Sequence, residues 1–93
     1  MVGADEQSYE EVINKLKAFK SKASGLVTEM RTAGKDCVDN TDNDPAAVKS
    51  NDSLNTALSQ ITTSLEGIDQ IVAALEQELQ DIIEAANKAN ALE

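Results

Sequence analysis

From Tyr9 onward, apolar residues recur at alternating steps of three and four, through Tyr9, Val12, Leu16, Phe19, Ala23, Leu26, Met30, Ala33 and Cys37. A second run keeps the same rhythm through Leu54, Leu58, Ile61, Leu65, Ile68, Val72, Leu75, Leu79, Ile82, Ala86 and Ala89. Steps of three and four place side chains on one stripe of an α-helix, whereas strands would alternate every second residue. The pattern predicts two helices, about 6–38 and 52–90, with an inter-helix turn over 39–52. Ser8 followed by Glu11 has the spacing of a capping box, so the first helix is expected to begin there or a few residues earlier.

The connection, "DCVDNTDNDPAAVKSNDS", is dense in Asp, Asn and Ser, whose side chains bond nearby backbone and favour caps and turns. Asp44 before Pro45 reads as an N-cap and first helical residue. Either a short turn runs through "PAAVK" or the second helix already starts there. The acids suggest a calcium loop only superficially. Counting from Asp39, the sixth position is Asp44 and the twelfth Ser50, where an EF-hand wants Gly and Glu. A solvated, capped turn is the expectation.

Folding the second helix back on the first aligns the two stripes in one register. Tyr9 falls opposite Ile82, Phe19 opposite Val72 and Cys37 opposite Leu54, and every such pair of numbers adds to 91. The fold class read from this is all-α, an antiparallel two-helix hairpin forming a single domain over 1–93. Gly25 and Gly67 fall at similar levels, and a close backbone approach or a shared bend is expected there.

Two helices cannot enclose a seam by themselves, and a chain of 93 residues builds only a small core. Apolar residues beside the seams supply more surface to bury. Ile13 and Val27 flank the first, Ala57, Ile71 and Ala85 the second, and Ile83 lies on its other side. Ile13, Val27, Ile71 and Ile83 are therefore the candidate partner-binding residues, and a second hairpin completing a four-helix bundle, as homodimer or heterodimer, is the expected partner.

Charge narrows the field. The formal charge is −9, and residues 54 to 93 carry seven acids and one base. Such a surface repels phosphate backbones and anionic lipid, which argues against nucleic acid and membrane surfaces as partners. No apolar run reaches the ~18 residues a membrane span needs, and "MVGADEQSYEE" lacks the basic and apolar regions of a cleavable signal. Cys37 is the only cysteine and there is no histidine, so no disulfide or Cys/His zinc site forms within one chain. In a seam position, Cys37 is expected to be a buried structural thiol. Glu76, Glu78, Asp81 and Glu84 lack the histidine half of a bundle metal site and read as a solvated acidic face. Neither a cofactor site nor catalytic residues are expected, and the chain reads as a non-enzyme.

An acidic chain of this size and pattern resembles the WXG-type family, the early secreted antigenic target-like proteins of bacterial type VII secretion. The resemblance covers nearly the whole chain. Trp-x-Gly, the family's turn signature, is not present, because the sequence has no tryptophan. The resemblance therefore points to Trp-less relatives, including the small helical targeting partners of LXG toxins. Val72, Glu76, Leu79 and Ile83 fit the family's helix 2 export pattern of hydrophobic, acidic and hydrophobic positions. A Tyr-x-x-x-Asp/Glu motif is missing, since Ile13 stands four residues after Tyr9. What the resemblance implies is a secreted substrate or targeting partner, exported without a cleavable signal, pairing with a WXG-type protein or the helical N-terminal region of an LXG-type effector. The alternative is a cytoplasmic coiled-coil adaptor.

Overall fold

A computed structural model describes residues 3–91 and shows an antiparallel hairpin of two α-helices, α1 (Ala4–Asn40) and α2 (Pro45–Ala91). The outermost positions of the expected domain, 1, 2, 92 and 93, lie outside the described residues. Both helices are longer than the sequence pattern predicts, and the connection shrinks to residues 41–44.

The first helix starts earlier than the Ser8–Glu11 box because a better cap lies upstream. Gly3 donates its N–H to Glu6 Oε2 at 3.2 Å, and the Gly3 carbonyl accepts from the Gln7 N–H at 3.0 Å. Glu6 thus closes the first turn, where Asp5 and Glu6 also complement the positive end of the helix dipole. Ser8 and Glu11 are interior helical residues, and Glu11 pairs with Lys15 one turn on at 2.9 Å.

The chain reverses through a Schellman-type ending. The Asn43 N–H reaches the Val38 carbonyl at 3.0 Å, the Asp42 N–H reaches Asp39 at 3.2 Å, and Asp42 and Asn43 take φ of 54° and 61°. Asp and Asn tolerate this left-handed region better than other non-glycine residues, which explains why the turn is built from them. The second helix starts at Pro45. Asp44 is its N-cap, accepting from the Ala47 N–H through Oδ2 at 3.2 Å and from the Val48 N–H through its carbonyl at 3.0 Å.

The hairpin divides into two compact units. The terminal unit joins the described residues up to Phe19 with those from Gly67 onward, and the turn unit is Lys20–Glu66. In the terminal unit Ile13 and Val72 are buried, with Tyr9, Leu16, Leu75, Leu79 and Ile82 half-buried around them. In the turn unit Val27, Leu58 and Leu65 form the core, and Leu58 is the most enclosed side chain.

The seam of α2 follows the sequence pattern from Leu54 to Ile82 except at Ile61, which is exposed, and it ends there, since Ala86 and Ala89 are exposed too. The seam of α1 is rotated. Val12, Phe19, Leu26 and Met30, expected inside, are exposed, and the neighbours Ile13, Lys20, Val27 and Arg31 take their places at the seam. Cys37, expected as a buried thiol, is likewise exposed, because the half-buried position is Val38.

Two local features explain the rotation. Gly34 sits against α2 so closely that a Cβ there would collide with Asn51 Oδ1 and stand 3.0 Å from Leu54 Cδ2. The helices therefore approach at Gly34 rather than at Ala33. Polar side chains also fix the rotation by bridging the helices, as described below. Gly25 and Gly67, where a close approach was expected, have nothing within 4 Å of an added Cβ. They are glycines in open space, with no packing requirement.

Candidate protein-binding face

Each residue of an α-helix is turned about 100° from the last, so the sides of the hairpin can be assigned from its bridges. In the terminal unit Lys17 Nζ reaches Glu76 Oε2 of α2 at 3.8 Å. Lys17 lies one turn after the buried Ile13, and Glu76 one turn after the buried Val72. This side of the unit is polar. Val12, Phe19 and Ile71 project on the opposite side, each stepped back around its helix from the seam.

The turn unit repeats the arrangement. Arg31 donates from Nη1 to Asn55 Oδ1 at 3.3 Å and from Nη2 to Ser59 Oγ at 3.2 Å, so its polar side is bridged by one guanidinium. Leu26, Met30 and Ile61 stand on the other side. A groove of about 500 Å³ opens there between Met30, Ala33, Gly34 and Cys37 of α1 and Ala46, Ala47, Ser50, Asn51 and Leu54 of α2. The small residues make the groove, since alanine and glycine leave the space that larger side chains would fill. Asn51 Oδ1, buried without a hydrogen-bond partner, faces Gly34, where a Cα–H···O contact is the interaction available to it.

Exposure of these residues is high for their type. Phe19, the only phenylalanine, is 59% exposed, Ile71 52%, and Val12, Leu26, Met30 and Ile61 lie between 45% and 48%. Single exposed apolar residues are ordinary on protein surfaces, whereas rows of them on one side of a helix pair are not.

The four sequence-derived partner residues separate accordingly. Ile71 is on the uncovered apolar side, but Ile13 and Val27 are buried inside the hairpin and so leave the candidate face. Ile83 is half-buried and lies on the side of Glu76, one heptad away. The residues that replace them are Val12, Phe19, Leu26, Met30 and Ile61. Their signal was present in the sequence, where rows 12/19/26 and 13/20/27 run side by side along α1. Deciding between them required knowing that Gly34 and Arg31 were seam positions.

In the export-like pattern, Val72 is buried, Leu79 and Ile83 are half-buried, and Glu76 is exposed. Three of its four residues thus serve the seam of α2. Glu11 has its carboxyl held below the usual carboxylate range by the hydrogen bond from Lys15 and then by the lysine's charge. Both partners of that pair are solvent-exposed. Among the described residues no three Cys, Asp or Glu side chains gather closely enough to hold a metal ion. No described helix is long and apolar enough to cross a membrane.

Comparison with family models, with curated proteins and with solved structures returned no match.

Proposed function

We propose that this chain is a non-enzymatic binding protein that pairs through the apolar sides of its hairpin with a second helical partner, completing a four-helix bundle. The carrying observation is the half-exposed set Val12, Phe19, Ile71 in one unit and Leu26, Met30, Ile61 in the other, each opposite a polar side closed by inter-helix bridges. Burying apolar surface of this kind is the dominant favourable term in most protein association, and an uncovered row at heptad spacing is what a partner helix reads.

The physiological setting we propose is type VII secretion, with the chain as secreted substrate or as targeting partner of a larger effector. Its support is the likeness in size, acidity and two-helix pattern to the WXG-type family, together with an exposed apolar side on each unit of the hairpin. The proposal is tested in a Gram-positive host with a functional type VII ATPase. The chain is expected in the culture supernatant when the ATPase is intact and inside the cell when it is inactivated. Phe19→Ser with Leu26→Ser should abolish export while leaving the hairpin folded, because both residues are exposed. Retention in the cell with the ATPase intact would favour the adaptor reading instead.

A further inference from the structure

We propose that the occupant of the terminal unit's apolar side is a different chain, an amphipathic helix or helical hairpin whose apolar row is flanked by lysine or arginine. The inference rests on the pairing reading above and adds the chemistry of the partner. Charge is unequally shared between the units. Among the described residues the terminal unit carries nine acids and three bases, while the turn unit carries seven and five. From Asp69 to Glu84 the second helix holds five acids and no base.

Part of that acidity borders the apolar side. Glu78 stands one heptad after Ile71, on the same row of α2, and Asp81 follows one turn later. Asp81 accepts from Gln77 Nε2 at 3.0 Å, which leaves its charge uncompensated. The unit's own lysines on α1 are engaged elsewhere, Lys15 with Glu11 and Lys17 with Glu76. A second copy would therefore bring another strongly acidic unit, nine acids against three bases, with Lys15 and Lys17 equally committed and Lys88 beyond the acidic stretch near the end of α2. Cationic flanks answer Glu78 and Asp81 at the rim, where charge sets the partner choice and the rate of encounter. Gly67 and Ala74, one turn before and after Ile71, are small, and an added Cβ at Gly67 meets nothing, so a helix can lie close along this row.

The test uses the full chain and two synthetic four-heptad helices with Leu and Ile in the apolar row, one flanked by Lys and the other by Glu. Binding is followed by fluorescence anisotropy, and self-association by sedimentation equilibrium. The Lys-flanked helix should bind about fivefold more tightly at low salt, as two rim charges warrant, with the advantage shrinking as salt rises. Glu78→Gln with Asp81→Asn should erase the advantage. Phe19→Ser with Ile71→Ser should remove binding altogether, with helicity by circular dichroism confirming the fold. Equal binding of both helices, or salt-insensitive self-association lost in the Phe19→Ser, Ile71→Ser variant, overturns the cationic partner but leaves the docking side standing. Undiminished binding of the Lys helix to that variant also overturns it, because attraction is then bulk charge. If neither helix binds and the chain stays monomeric, the pairing reading itself fails.

Discussion

Val12 and Ile13 are chain neighbours that the rotated seam sends to opposite fates, 47% and 5% exposed, so replacing each by alanine tests the packing of α1 directly. Ile13→Ala removes three buried carbons, about 2.4 kcal/mol at about 0.8 kcal/mol each, and the cavity adds about another 1 kcal/mol. Alanine's better helix propensity returns about 0.4 kcal/mol, leaving a loss of about 3 kcal/mol. Val12→Ala removes two half-exposed carbons, about 0.8 kcal/mol, against a propensity gain of about 0.5 kcal/mol, so its net effect on the hairpin is close to zero. For a chain this short the Ile13 variant should melt roughly 12–24 °C lower, and the Val12 variant within about 2 °C of the parent. Thermal and urea unfolding by circular dichroism at several protein concentrations measures both. A partner covering Val12 would make its loss concentration-dependent, whereas the Ile13 loss is present at every concentration. A Val12→Ala loss equal to or larger than that of Ile13→Ala at the lowest concentration would refute the rotated seam.

Glycine replacements should split by position: Gly25→Ala and Gly67→Ala raise stability by up to about 1 kcal/mol each, since added methyls meet nothing. Gly34→Ala has the same propensity gain yet should lower the melting temperature, because the methyl displaces the Asn51 amide and crowds Leu54. In the turn, Asp42→Gly or Asn43→Gly relieves a left-handed conformation and should gain up to about 1 kcal/mol in urea unfolding. Asp44→Ala removes the N-cap acceptor of α2 and should cost about 1 kcal/mol, with Asp44→Asn keeping most of the stability.

The two helices, their antiparallel return and the cap at Asp44–Pro45 are legible in the sequence because they depend on local periodicity and local hydrogen bonding. The rotation of α1 is not, because it depends on which of two adjacent rows meets the other helix. Row 12/19/26/33 is apolar throughout, while row 13/20/27/34 contains Lys20 and Gly34 and looks the poorer seam. Hydropathy favours the first row. Backbone approach at Gly34, the Arg31 bridge to Asn55 and Ser59 and the Lys17 contact with Glu76 favour the second. The same ambiguity moved the candidate face, exchanging Ile13 and Val27 for Val12, Phe19, Leu26 and Met30. The length of the connection was obscured for a different reason: polar residues such as Lys49, Ser50 and Asp52 read as loop, yet with the helix already started at Pro45 they line its first turns.

The guanidinium of Arg31 and the ammonium of Lys17, stitched across the back of their units, would limit how large the proposed assembly grows. A molecule sticky on both sides would stack copy upon copy into fibres, since each addition would leave a fresh adhesive surface. Here each unit's reverse carries polar side chains bridged between the helices, so under the proposed pairing a single mate would consume the adhesive surface and growth would terminate in a closed complex.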